Sequence, residues 1–356
     1  MTAPFRLYGA ELSPYSVKVR AYLRFKNLPF DWLQRSEARQ EEFSRYAKQP
    51  LVPVLVDADD VAVQDSTPII EKLEQDFPEP SIAPEEPSLA FIAALLEDYA
   101  DEWLNKAMFH YRWSYPEDQE NAARRIADML FEGAEKPEGI EDSVRARMMA
   151  RLHHVGSSPE TAPVIEGSFA RVIVLLDKLV WSRPYLFGGR PSLADFGLAG
   201  QLTQLLSDPT PSAMLRAQAP SLVRWIERME APKDEGAFAT FEAVKTDLVD
   251  LLREEVAGAY LAWMAANAQA VEDDASGVSV EIAGRTFAQK PQRYAAKAFS
   301  ELKRKRAVVD DDALSALLLE TGCDAFLAPP STIASPEIEP EPEAEVIGND
   351  SEAEDD

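Results

Sequence analysis

The stretch Phe5-Arg-Leu-Tyr-Gly-Ala-Glu-Leu-Ser-Pro-Tyr-Ser-Val-Lys-Val-Arg20 passes from a strand into a helix. Phe5–Tyr8 alternates apolar and polar residues and stops at Gly9. Ser13 then stands where a helix needs its N-cap, with Pro14 at the first helical position and Ser16 at the third. From Tyr15 to Lys26, the residues Val17, Val19, Tyr22, Leu23 and Phe25 predict a largely buried helix. Working outward, Phe30–Gln34 reads as a second strand and Glu37–Lys48 as a polar helix on the surface. Val52–Val56 and Val61–Val63 read as a hairpin around the acidic turn Asp57–Asp60. Ser66 opens a final helix through Ile69, Ile70, Leu73 and Phe77, stopped near Pro78. The order β-α-β-α-β-β-α predicts a small α/β layer over residues 1–80.

Pro78, Pro80, Pro84 and Pro87 mark a linker. From Ser88 the pattern turns helical: Leu89, Ile92, Leu96, Tyr99, Trp103 and Ala107 recur at three- and four-residue steps. Further helices are expected over Ala122–Phe131, Val144–His153, Glu166–Val180, Leu193–Leu206 and Ser221–Glu230, giving an all-helical domain over 88–235. Residues 236–330 form a mostly helical extension. Phe241–Ala270 reads there as one long helix or a broken pair, and Val278–Ile282 with Arg285–Gln289 as a hairpin around Ala283-Gly284. Helices are expected again over Tyr294–Arg306 and Asp311–Glu320. The Pro/Glu/Ala/Asp-rich stretch 331–356 is expected to be a disordered acidic tail, because it has too little apolar surface to offset the entropy of ordering.

The 356 residues are 46% hydrophobic, enough for a sizeable core. Sixty-two acidic residues against 36 basic ones give a net charge of −26, of which residues 1–330 carry −16. That balance argues against nucleic acid or an anionic membrane as the main partner, since both need basic patches. One cysteine, Cys323, excludes an intramolecular disulfide framework and a cysteine-based zinc cluster. His110, His153 and His154 leave little for a histidine-rich metal site, and no metal is expected. With neither a signal-peptide pattern nor a long apolar run, a soluble, cytoplasmic protein is expected.

Three short motifs carry chemistry. Ser13-Pro14 at a helix start is either a plain cap or a capped dipole end able to hold an anion such as a thiolate. Val52-Pro53 opens a strand, where proline needs no function, yet a cis bond there would offer the Val52 backbone to a peptide-like ligand. In Asp65-Ser66-Thr67-Pro68, Ser66 reads either as a simple N-cap or, with Asp65, as a partner for the charged amino-acid end of a ligand.

Together these motifs resemble the thioredoxin-like domain of the soluble glutathione S-transferases. Leu7-Tyr8, Ser13-Pro14-Tyr15-Ser16, Val17-Lys18-Val19-Arg20, Val52-Pro53-Val54-Leu55 and Asp65-Ser66 fall in that family's order and spacing. Tyr185-Leu-Phe-Gly-Gly-Arg-Pro-Ser192-Leu-Ala-Asp195-Phe196 is similar to the family's structural capping box, in which Asp195 returns a hydrogen bond to the Ser192 N–H. The resemblance spans about residues 4–232 and leaves out the extension and the tail. It implies a thioredoxin-like domain followed by a helical one, a homodimer, glutathione as co-substrate and a small electrophile as second substrate. It also implies that Ser13 holds the glutathione thiolate, Val52 before cis-Pro53 pairs with the cysteinyl backbone, and Asp65 and Ser66 hold the γ-glutamyl end. Gln49 or Lys48 would reach the glycine carboxylate.

In some members an acidic residue of the partner subunit approaches the γ-glutamyl amine. Glu97, Asp98 and Asp101 are the candidates here, with a solvated helix face as the alternative. Tyr8 reads as a structural strand end, and with Ser13 in place of a cysteine, disulfide exchange at that position is not available. The aromatic segment Trp103–Trp113 is either core or the wall of an electrophile cleft lined by His110, Tyr111 and Arg112. The doublet His153-His154 reads as structural, and Lys303–Arg306 as a solvated basic face able to pair with the tail. Two rival functions share the fold: a non-catalytic scaffold, and a glutathione-dependent lyase, reductase or isomerase.

Overall fold

The structure, a computed structural model, describes residues 4–327. The sequence expectation for 331–356 therefore lies outside the described residues. The chain opens with β1 (Phe5–Gly9), α1 (Pro14–Phe25), β2 (Phe30–Gln34), a 3-10 turn at Glu37–Arg39, α2 (Gln40–Tyr46), β3 (Val54–Val56), β4 (Ala62–Gln64) and α3 (Ser66–Asp76). The expected 37–48 helix is thus a 3-10 turn followed by a shorter helix that stops at Tyr46. The expected Ser66 cap is displaced by one residue. Asp65 is the N-cap, in the left-handed region at φ 83°, and its carboxylate accepts from the Ser66 N–H at 2.6 Å.

The sheet order is β2-β1-β3-β4. β1 and β2 are parallel, which requires a crossover, and α1 provides it. β3 runs antiparallel to both its neighbours, with Tyr8 opposite Val54 and Val54 opposite Gln64. The C-terminal ends of β1 and β4 and the start of β3 therefore share one end of the sheet. The reversals after β1, before β3 and after β4 carry the three motifs singled out from the sequence; the reversal after β2, at the same end, carries none of them.

A helical half follows: α4 (Pro87–Tyr99), a π-helical turn at Ala100–Leu104, α5 (Asn105–Ser114), α6 (Pro116–Phe131), α7 (Ile140–Met149), a 3-10 turn at Leu152–Val155, α8 (Ala162–Leu179), α9 (Leu193–Ser207), α10 (Pro209–Gln218) and α11 (Pro220–Arg228). Sequence reading misses α10. Its two prolines, Pro209 and Pro211, sit in the first turn, where a missing N–H costs nothing, and so they start the helix instead of breaking it. Met149 ends the helix expected to run to His153, and the His pair lies in the 3-10 turn.

α9 is the central helix. A Cβ on Gly200 would meet the Pro14 carbonyl oxygen at 2.7 Å, and one on Gly197 would meet the Glu97 Cα at 3.1 Å. Glycine at these two positions lets α9 touch both α1 and α4. Phe196 adds edge contacts to Tyr22 at 5.7 Å and tilted ones to Phe25 at 6.0 Å, which join the sheet layer to the helices.

The extension comprises α12 (Phe241–Leu251), a π-helical segment at Leu252–Leu261, α13 (Ala262–Glu272), the hairpin β5 (Val278–Ile282) and β6 (Arg285–Gln289), α14 (Arg293–Ala307), α15 (Asp312–Thr321) and α16 (Asp324–Leu327). Residues 241–272 are helical throughout, and the π segment takes the place of a break. Ala283 and Gly284 both have positive φ, as a tight two-residue hairpin turn demands. The extension is continuous with the core: Tyr260 packs on Tyr99, and Trp263 and Phe287 both pack on Trp103. Among the described residues no helix is long and apolar enough to cross a membrane.

Candidate functional site

At the shared end of the sheet, β1 leads into a turn closed by the Ser13 N–H on the Ala10 carbonyl at 3.0 Å. Ser13 is half-buried, and its Oγ accepts from the Ser16 N–H at 3.2 Å. Because the hydroxyl serves the helix only as an acceptor, its own proton is left to donate outward. The Val52-Pro53 peptide bond is cis, and the Pro53 carbonyl accepts from the Asp65 N–H at 3.2 Å, which ties the β3 entry to the α3 cap.

Gln64 fastens the neighbouring loop. Its Oε1 accepts from the Lys48 and Gln49 N–H groups at 2.9 and 3.1 Å, and its Nε2 donates to the Gln49 and Leu51 carbonyls. The backbone of Gln49 is thereby occupied while its side chain is exposed. Tyr8 is buried in the sheet and donates to Glu42 at 2.6 Å.

Beside these residues lies a charged cluster. Lys18, only 1% exposed on α1, reaches Glu97 at 2.6 Å and Asp101 at 2.7 Å, and its third donor meets Thr67 at 3.3 Å. Lys18 is held charged: burial disfavours its ammonium, but the two carboxylates outweigh burial and push its pKa up. Lys18 likewise outweighs the burial of Glu97 and keeps that carboxyl below its usual value. One ammonium does not serve every acid here. Burial above all, with neighbouring carboxylates adding to it, raises Asp98 and Asp101 to about 7 and Glu102 to about 8. Asp98 accepts a hydrogen bond from Tyr260, and the π turn carries Asp101 and Glu102.

The solvated face considered for Glu97, Asp98 and Asp101 is therefore corrected. All three are buried or half-buried and committed within the chain, Glu97 and Asp101 to Lys18 and Asp98 to Tyr260.

These raised pKa values have a measurable consequence. Between about pH 4 and pH 8 the folded chain keeps protons on Asp98, Asp101 and Glu102 that an unfolded chain releases near pH 4. Their contribution to stability therefore falls as pH rises through that window. His110 and His154, whose pKa values burial lowers, act in the opposite sense, so the useful readout is a difference. Glu102→Gln is expected to gain melting temperature relative to the wild type as pH goes from about 5 to about 8. A pH-independent difference would remove Glu102 as a raised carboxyl.

His110, Tyr111 and Arg112, read as possible cleft residues, are instead buried and engaged by protein. His110 meets Ser157 Oγ at 2.8 Å and Glu166 at 3.0 Å. Tyr111 packs on Tyr115 and Phe169, and Arg112 pairs with Asp208 at 2.7 Å and donates to Gln204 at 2.9 Å. Side chains enclosed in this way are not free to orient a second substrate. The His154 carbonyl accepts from the Gln289 and Gln292 side chains and so anchors the extension. In the basic run, Arg304 pairs with Glu301 and Lys305 approaches Glu71 at 3.8 Å.

Residues 7–81 match the family model of the glutathione S-transferase N-terminal domain, and residues 142–228 match that of the C-terminal domain. The chain belongs to the glutathione S-transferase family. A curated relative, the isoprene-epoxide–glutathione S-transferase of Rhodococcus sp. (strain AD45), is 27% identical over 240 residues, 63% of this chain and 94% of that protein. Among solved structures, a glutathione S-transferase from Rhodospirillum rubrum F11 is 24% identical with a TM-score of 0.43, covering 62% of this chain and 86% of that one. The beta-etherase of Sphingobium sp. strain SYK-6 is 22% identical with a TM-score of 0.48, covering 64% and 96%.

Within this transferase-family chain, Ser13, Val52, Asp65 and Ser66 stand at one sheet end, with Gln49 fixed beside them. Gln64, Lys18, Tyr15 and Tyr294 escaped the sequence reading. Tyr15 donates to the Asp101 carbonyl at 3.2 Å, and Tyr294, from α14, donates to Asp65 Oδ2 at 3.1 Å.

Proposed function

We propose that this transferase-family chain binds glutathione at the shared sheet end and presents its ionised thiol to a small electrophile. The observation that carries the reading is the strand register. It makes a capped helix start at Ser13, the strand entry at Val52-Pro53 and the Asp65–Ser66 cap neighbours, as a tripeptide with one thiol and two charged ends requires. Ser13 Oγ, accepting from Ser16, donates to the thiolate at the N-terminus of α1. Val52 pairs its backbone with the cysteinyl unit. Asp65 and Ser66 take the γ-glutamyl end, and Gln49 is the candidate for the glycine carboxylate.

A hydroxyl bond and a helix end are each worth about 1 kcal/mol, so together they lower the thiol pKa by roughly one to two units. A small epoxide is the first electrophile to test, given the name of the Rhodococcus relative. In that reaction sulfur bonds to carbon as the epoxide C–O bond opens, and the alkoxide takes a proton from water.

Calorimetric titration with glutathione is expected to show micromolar to millimolar binding that is lost in Ser66→Ala and Asp65→Ala. Ser13→Ala is expected to keep binding within a few-fold and to lose about 1 kcal/mol of stability as a missing cap. Its turnover is expected to fall roughly ten-fold or more at neutral pH, with the pH profile moved upward. Absence of binding at several millimolar would leave a scaffold. Unchanged turnover in Ser13→Ala would discard that residue as the activating group.

A further inference from the structure

We propose that Tyr294, contributed by the extension, is a binding residue of the γ-glutamyl subsite, donating to Asp65 and accepting from the ligand's α-ammonium. The inference rests on the glutathione reading above and assigns that subsite a residue from outside the family-matched segments, which end at residue 228.

Tyr294 is 61% exposed, yet its surroundings fix it. Two residues earlier, the Gln292 backbone is clamped both ways to Asn267, its N–H donating to Oδ1 at 2.7 Å and its carbonyl accepting from Nδ2 at 2.8 Å. The Gln292 side chain donates to the His154 carbonyl at 2.5 Å, and Lys106 holds the adjacent strand through Gln289 at 3.0 Å. At the far end of α14, Lys305 approaches Glu71 on α3. A tyrosine in the first turn of a helix secured at both ends is delivered to Asp65 by the fold, and no hydrophobic burial is needed to explain its position.

The chemistry at the contact suits an ammonium. Asp65 Oδ1 accepts from Ser66 and Oδ2 from Tyr294, and each oxygen keeps a further lone pair. The phenol O–H is directed at Asp65, so the oxygen's lone pairs are free to accept from a ligand. A phenol ordinarily titrates at about pH 10, so beside the Asp65 carboxylate Tyr294 remains a protonated donor throughout the physiological range. A primary ammonium has three N–H donors, and the two Asp65 oxygens with the phenol oxygen match it in number, the carboxylate supplying the opposite charge.

The test compares wild type and Tyr294→Phe in the full chain, by calorimetry, with glutathione and with glutaryl-cysteinylglycine, which lacks only the α-ammonium. Tyr294→Phe is expected to weaken glutathione binding roughly five-fold, as loss of one charge-assisted hydrogen bond does, and to leave the deamino ligand unaffected. The melting temperature is expected to stay unchanged, since the exposed ring is retained. Unchanged glutathione affinity, or an equal loss for both ligands, overturns the assignment while leaving the glutathione reading intact. Failure of the wild type itself to bind glutathione overturns both.

Discussion

Asp195→Ala is expected to lower the melting temperature by roughly 4–7 °C, the fall for about 3–5 kcal/mol in a chain of this size. Asp195 is fully buried at the start of α9, and its two oxygens take four hydrogen bonds. Oδ1 accepts from the Leu186 N–H at 2.9 Å and from Trp225 Nε1 at 3.3 Å. Oδ2 accepts from the Ser192 N–H and Oγ, both at 2.8 Å. Alanine removes one partner from each of four donors at once. Two of these are backbone N–H groups deep in the protein, and an unmade buried hydrogen bond costs more than a made one contributes. The loop Tyr185–Ser192 and α11, which carries Trp225, would lose their tie to the central helix together. Asp195→Asn retains one acceptor oxygen and is expected to recover part of the loss. A shift of less than about 1 °C in Asp195→Ala would mean that the loop holds α9 without the carboxylate.

Lys18→Met is the second large effect, expected to destabilise by about 3–5 kcal/mol because it leaves buried carboxylates without their cation. Glu97 and Asp101 are both within 2.7 Å of that ammonium, and Glu97 also accepts from Thr67 at 2.7 Å. The instructive comparison is the double variant Lys18→Met/Glu97→Gln. If the damage comes from the orphaned charge, the double variant melts above Lys18→Met alone, since an uncharged pair avoids the desolvation penalty. Strict additivity of the two single effects would instead mean that the three groups act independently. A thermal melt of four proteins decides the matter.

The sheet layer was legible because its elements are short and locally signed. Phe5–Tyr8 alternates with period two, Ser13-Pro14 marks a helix start, and Val52-Pro53 and Asp65-Ser66 mark two further reversals at the same sheet end. The helical half was legible from apolar spacing, except at α10, which no helix was expected to fill and whose Pro209 and Pro211 stand in the first turn. The charged cluster was not legible. Lys18 lies in an apolar helix and finds its partners 79 and 83 residues away, and Tyr294 meets Asp65 across 229 residues. Periodicity records which face of a helix is apolar and says nothing of which distant segment a polar residue on it meets. The π turn at Ala100–Leu104 escaped for a related reason: widening one turn leaves the surrounding hydrophobic spacing nearly intact.

The family match ends at residue 228, but the apolar interior does not. Tyr260, Trp263 and Phe287 close over Tyr99 and Trp103, rings that belong to the helical half. A premature stop codon ahead of residue 236 would hand those two rings to water, a sticky patch that no single substitution re-surfaces. Both aromatic positions, Tyr99 on α4 and Trp103 on its π turn, would have to change together before the helical half could face water there, whatever becomes of the extension's role in binding.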